Sequence, residues 1–275
     1  MAEFIKVGNE IIVKPKLEGL MYELINGKVY DLKFSHTEGK SFLVENGDLN
    51  MPKKLYKLEE DNKFINRVLT YFNSENSNQT TGVLLAGTKG TGKTMLSKRI
   101  ASESNLPIIV VATDYPASRL HAFFKNFTTP VVIMFDEIEK NQYWWKTKDL
   151  LGFLDGVEAT AKKLVLMTCN DTKEIDDNFF DRCSRVRYFK QYEANSNSVF
   201  VRYMAEDKGI KNIDEVVNFI NEYVEVKSFD NIAAFLDEIL LFEDIPLAQL
   251  AKDMNISIGE VRSGRKSSDD EDDDY

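Results

Sequence analysis

The stretch "TGVLLAGTKGTGKTMLSKRI", beginning at Thr81, constrains this chain more than any other. Val83-Leu84-Leu85 is a short apolar run suited to a fully buried strand, and the residues from Lys93 onward suit a helix. Between them Gly87, Thr88, Lys89, Gly90, Thr91, Gly92, Lys93 and Thr94 fit G-x-x-x-x-G-K-[ST]. Glycines without a Cβ let the loop wrap, so that successive backbone N–H groups point at phosphate oxygens where a helix N-terminus adds partial positive charge. Lys93 would reach the β- and γ-phosphates, Thr94 would hold Mg²⁺, and Met95 would complete the nucleotide-binding set. Strand, phosphate-binding loop and helix together make one unit of an α/β fold.

The chain downstream repeats that alternation. Pro107 to Ala112 predicts a second buried strand, "ASRLHAFFKNF" a helix, and Val131 to Phe135 a third strand ending in Asp136 and Glu137. "TKDLLGFLDG" then predicts a helix and "KKLVLMTCN" a fourth strand ending in Asn170. Alternating strands and helices imply a parallel sheet covered on both faces, with ligand groups gathered at the carboxyl ends of its strands. Asp136 at such an end would bind the Mg²⁺ held by Thr94, through water, because magnesium dehydrates reluctantly. Glu137 would act as general base on the attacking water, and Asn170 would orient that water.

The flanks differ in style. "FIKVGNEIIVKPK", "MYELINGKVYDLKFS" and "KSFLVENGDL" predict strands, with Asn26-Gly27 as a hairpin signal and Asn46-Gly47 as a closing turn. Residues 1–52 are therefore expected to form a small β-rich element, and 53–190 the α/β nucleotide-binding domain. Phe64, Val68 and Tyr71 share one face of a helix that opens that domain. Residues 191–258 predict four helices, a small all-helical domain, and 259–275 a disordered acidic tail.

Six of the last seven residues are acidic, Asp269 to Asp274 before Tyr275, and they carry much of the formal charge of −10. Without them 39 acidic residues face 35 basic ones, a near balance that argues against broad nucleic-acid binding. The tail itself could dock on a basic partner. No apolar run is long enough to span a membrane, and Cys169 and Cys183 make neither a disulfide framework nor a zinc site. A cytoplasmic location is expected, the host cytoplasm if the chain is virus-encoded.

"GTKGTGKT", "VVIMFDE", "LLGFLDGVEATAKKLVLMTCN" and "IDDNFFDRCSRVRYF" occur in the order, and at roughly the intervals, seen in the AAA+ ATPases, whose Walker A, Walker B, sensor 1 and arginine-finger regions they resemble. "FLDGV" followed by "LVLMTCND" is most similar to the protein-remodelling clade, while "DRC" resembles an element of clamp loaders. The resemblance implies an AAA+ parallel sheet followed by a helical lid, binding ATP with Mg²⁺. It further implies a homo-oligomer, a hexameric ring, in which Arg182 or, second, Arg185 reaches the γ-phosphate bound by a neighbour. A guanidinium brings fixed charge and fork geometry to that transition state. The lid stretch "SFDNIAAFLDE" lacks the arginine that many relatives place there. Tyr115 is the one aromatic placed to line a central pore, with packing as its alternative role. "NQYWWKTK" would serve packing, subunit contact or substrate.

Three functions compete: a ring motor remodelling a protein or protein–nucleic-acid complex, a DNA-replication accessory ATPase of the clamp-loader or helicase-loader type, and an assembly switch. Glu137, Asn170 and Arg182 together speak against the last, since a switch has no need to position water.

Overall fold

The computed structural model describes residues 2–7, 10–15, 23–52, 55–56, 58–141, 147–155, 161–175, 177–192, 198–225 and 227–259. The aromatic cluster Tyr143–Trp145 and the acidic tail lie outside them.

Strands β1 (Ala2–Val7) and β2 (Glu10–Pro15) form an antiparallel pair of their own. A seven-stranded sheet holds β3 (Lys28–Ser35), β4 (Lys40–Asp48), β5 (Thr80–Gly87), β6 (Ile108–Val111), β7 (Val131–Phe135), β8 (Lys163–Cys169) and β9 (Tyr188–Tyr192) in the order β4-β3-β6-β7-β8-β5-β9. Every pairing in it is parallel except β3 with β4. Strands β5 to β8 are buried on both faces, as their apolar runs require, and β5, which feeds the glycine loop, lies inside the sheet between β8 and β9.

The sheet separates two apolar layers. On one face Val83, Leu85, Ile108 and Leu166 pack against α1 (Glu59–Asn73) and α2 (Lys93–Ser104). On the other, Leu84, Ile133, Val165 and Met167 pack with α3 (Leu120–Phe124) and α4 (Thr147–Asp155). Of the predicted face of α1, Phe64 and Val68 are buried and Tyr71 is half-buried. The helix expected over "ASRLHAFFKNF" is one 3-10 turn at Ala117–Arg119 followed by the short α3.

The N-terminal strands are placed differently from the sequence-based expectation. The hairpin turn is His36–Gly39, and Asn26-Gly27 leads into β3, where the Gly27 N–H donates to the Leu106 carbonyl at 3.1 Å. Asn46-Gly47 does not close β4 but bulges it: Val29 pairs with Gly47 and Tyr30 with Glu45. Residues 28–48, grouped above with an element apart, add two strands to the central sheet through parallel pairing of β3 with β6.

The C-terminal part packs α5 (Ser198–Lys208), α6 (Ile213–Tyr223), α7 (Phe229–Leu241) and α8 (Leu247–Asp253) around Phe200, Ile220, Phe235 and Leu236. No helix among the described residues is long and apolar enough to cross a membrane.

Candidate functional site

The glycine loop spans residues 87–92, from the end of β5 to the start of α2. Gly87, Gly90 and Gly92 have φ of 143°, 76° and 95°, a region closed to most side chains. Space closes the case as well: a Cβ on Gly90 would stand 2.4 Å from Ser228 Cβ, and one on Gly92 2.9 Å from the Phe229 ring. The Phe229 N–H donates to the Gly90 carbonyl at 2.7 Å, and Ser228 caps α7 by accepting from the Asn231 N–H at 3.1 Å. The lid thus rests on the loop by its α7 N-terminus, where no arginine stands.

Lys93 is 5% exposed, and its ammonium donates to the carbonyls of Gly87 at 2.6 Å and Thr88 at 2.8 Å and to Asn170 Oδ1 at 3.2 Å. Burial pushes its pKa down, opposed first by the charge of Glu139. A buried cation framed by glycine backbone is what a polyphosphate would find on entry.

Across from it, Asp136 follows β7 and accepts from Thr94 Oγ1 at 3.3 Å and from Thr168 Oγ1 at 2.5 Å. Thr168 also accepts from the Glu137 N–H at 2.9 Å, so one hydroxyl fixes both acidic positions. Glu137 takes φ 51°, rare for a residue with a long side chain. Its carboxylate receives Lys140 Nζ and, at 2.7 Å, Asn170 Nδ2; Lys140 first and Asn170 second hold its pKa below the usual range. Asn170 also donates to Glu139 Oε1, from its backbone N–H at 3.0 Å and from Nδ2 at 2.7 Å.

Lys93, Thr94, Asp136, Glu137 and Asn170 therefore converge, as their positions at strand ends suggested. Thr168 and Glu139 were missed. Thr168 could have been found from its parity with Asn170 on one strand, since residues two apart share a face. Glu139 stands in a 3-10 turn, Ile138–Asn141, and offered no such periodicity.

Beside the loop opens a cleft of 660 Å³, lined by Gly90 to Leu96 on one side and by Tyr56, Phe200 and Phe229 on another. A polar end at the loop and an apolar wall beyond it suit a nucleotide's phosphates and base.

Arg182 and Arg185 lie elsewhere. A Cβ on Gly82 would stand 1.8 Å from the Arg185 carbonyl oxygen, and the Arg187 N–H donates to the Gly82 carbonyl at 2.9 Å. The arginine turn is thus pressed against the start of β5, five residues and about 17 Å of strand from Gly87. Arg185 is 12% exposed and grips Asp155 with Nε at 2.9 Å and Nη2 at 3.1 Å, while donating to the Asn178 carbonyl at 2.7 Å. Arg182 is 64% exposed and stands 4.0 Å from the same carboxylate. Tyr115 is fully buried, its hydroxyl 2.7 Å from Ser41 Oγ, which is packing geometry.

Residues 83–191 match the family model of the ATPase family associated with various cellular activities (AAA). The chain is 34% identical over 95 residues to an ATP-dependent zinc metalloprotease FtsH of the aster yellows witches'-broom phytoplasma, covering 31% of this chain and 14% of that protein. It is 30% identical over 118 residues to ATP-dependent zinc metalloprotease FtsH 2 of Salinibacter ruber, covering 34% and 17%. The chain therefore spans less than a fifth of the length of these curated relatives. A chain from a solved structure described as "Structural Basis for Katanin Self-Assembly" is similar at a TM-score of 0.49 and 17% identity, over 70% of this chain and 72% of that one.

Proposed function

We propose that the chain, whose residues 83–191 match the AAA family model, is a Mg²⁺-dependent ATPase acting as a homo-oligomeric ring, hexameric in the arrangement we favour, that remodels a protein or protein–nucleic-acid complex. The observation that carries the ATPase reading is the convergence of buried Lys93, the Thr94–Asp136 pair and the Glu137–Asn170 pair on one glycine loop.

In this reading the N–H groups of residues 87–95 and Lys93 bind the phosphates, the ammonium leaving the loop carbonyls for phosphate oxygens. Thr94 and Asp136, a hydroxyl and a carboxylate at one spot, fit a hard cation; bound there, Mg²⁺ would neutralise charge on the β- and γ-oxygens. Glu137 takes a proton from water and Asn170 orients that water.

Arg182 supports the ring reading. It cannot serve its own loop from the far end of β5, yet it is exposed and only loosely paired, so it is free to complete a neighbour's site. Phe180 and Phe189, stacked edge to face at 5.3 Å and both exposed, supply apolar surface beside it. Arg185 is spent on Asp155 and fixes the turn.

ATP binding and turnover measured against protein concentration test this reading. Lys93→Ala is expected to abolish nucleotide binding, and Glu137→Gln to bind ATP while turning it over roughly a hundredfold or more slowly. Specific activity should rise with concentration. Undiminished nucleotide affinity in the lysine variant would remove the site.

A further inference from the structure

Glu139 stands two residues past Glu137 and is only 8% exposed. Its Oε1 accepts twice from a single residue, the backbone N–H and the Nδ2 of Asn170. Its Oε2 is buried with no hydrogen-bond partner among the described residues. Burying a carboxylate with one oxygen left over disfavours folding. Both hydrogen bonds that Glu139 does make go to Asn170, so its role lies in what it does for Asn170.

A carboxamide has two ends of nearly the same shape, one a donor and the other an acceptor. At Asn170 the donor end lies 2.7 Å from both Glu137 Oε1 and Glu139 Oε1, and the acceptor end faces Lys93 Nζ at 3.2 Å. Turning the amide over would set Nδ2 against an ammonium and Oδ1 against two carboxylates. The two glutamates are not equivalent in this grip. Glu137 must release the amide to accept a proton from water, whereas Glu139, buried and tied also to the Asn170 backbone, need not move.

We infer that Glu139 is a positioning residue for hydrolysis: it holds the Asn170 amide, donor end inward and acceptor end toward Lys93, while Glu137 leaves it to act on water. This rests on the ATPase reading. Glu139 acts through Asn170 and touches neither nucleotide nor water.

The test is steady-state ATPase activity together with the dissociation constant of a fluorescent ATP analogue and the thermal midpoint, for wild type, Glu139→Met, Glu139→Gln, Asn170→Ala and the double variant Glu139→Met/Asn170→Ala. Glu139→Met, which removes the acceptor but keeps the volume, should lower kcat roughly tenfold or more. Its analogue affinity should stay within about twofold, and its melting should fall by no more than the loss of one buried hydrogen bond explains. Glu139→Gln, which keeps an acceptor for Nδ2, should recover most of kcat. The double variant should turn over no more slowly than Asn170→Ala alone. Wild-type kcat in Glu139→Met, or equal losses of kcat and affinity, would overturn the inference while leaving the ATPase reading intact. Additive losses in the double variant would overturn it too, even if Glu139→Met folds poorly. Absence of turnover in wild type would overturn both.

Discussion

At Glu137 the backbone and the side chain are each held by a different partner. The positive φ costs about 1–3 kcal/mol, and the Thr168 hydroxyl on the Glu137 N–H is what maintains it. The side chain is held ionised, chiefly by Lys140, so the base it is proposed to be would stay charged to lower pH than an ordinary glutamate. In Lys140→Ala that support is gone, and the acid limb of kcat against pH should move up toward the ordinary carboxylate range. An unmoved limb would mean that another group sets it. Asp155 works with the same sign: Arg185 lowers its folded pKa below the unfolded value, so the pair stabilises above the ordinary aspartate pKa and is lost as pH falls through the lowered one. Removing one partner of this part-buried, two-bond pair costs about 1–2 kcal/mol. Arg185→Ala should show that loss in urea unfolding near neutral pH and a much smaller one in acid. Lys93, Thr94, Asp136, Glu137 and Asn170 were legible because each sits at a strand end or in a pattern with fixed spacing. That Arg185, rather than Arg182, is the one that grips Asp155 was not, since Asp155 is distant in sequence.

The elements that aim these residues meet through glycine. Gly82 lets the arginine turn lie against β5, and Gly90 lets the N-terminus of α7 rest on the phosphate loop. A methyl at Gly82 would push away a backbone carbonyl, so Gly82→Ala should destabilise the fold and displace the arginine turn together. A methyl at Gly90 meets both a positive φ and Ser228, and Gly90→Ala should weaken ATP binding while leaving the α/β core folded, as equilibrium binding and circular dichroism would show. Strands β5 to β8 were readable because strands buried on both faces are written as unbroken apolar runs. β9 was missed, its sequence "YFKQY" alternating half-buried and exposed residues at the sheet edge. The hairpin of β3 and β4 was misplaced because Asn26-Gly27 and Asn46-Gly47 each carry a turn's chemistry, yet one leads into a strand and the other bulges one.

For the whole molecule, the glycine-loop site lies at the carboxyl ends of the strands and the exposed Arg182 near the amino end of β5. In the proposed ring, head-to-tail association of identical copies would join them, and such an interface closes into a ring when its rotation permits. An arginine supplied by a neighbour raises turnover roughly 10³-fold or more in ATPases that use one. The α/β core and the helical C-terminal part were foreseeable from motif order; where the arginine turn lies needed the register of β5 with β9. The most direct measurement mixes two inactive variants, Arg182→Ala, which keeps its base, and Glu137→Gln, which keeps its arginine. ATPase activity should return in the mixture, because some interfaces then pair an intact Glu137 site with an intact Arg182 from the next copy. A mixture that forms joint oligomers yet stays as inactive as its components would contradict an arginine supplied in trans.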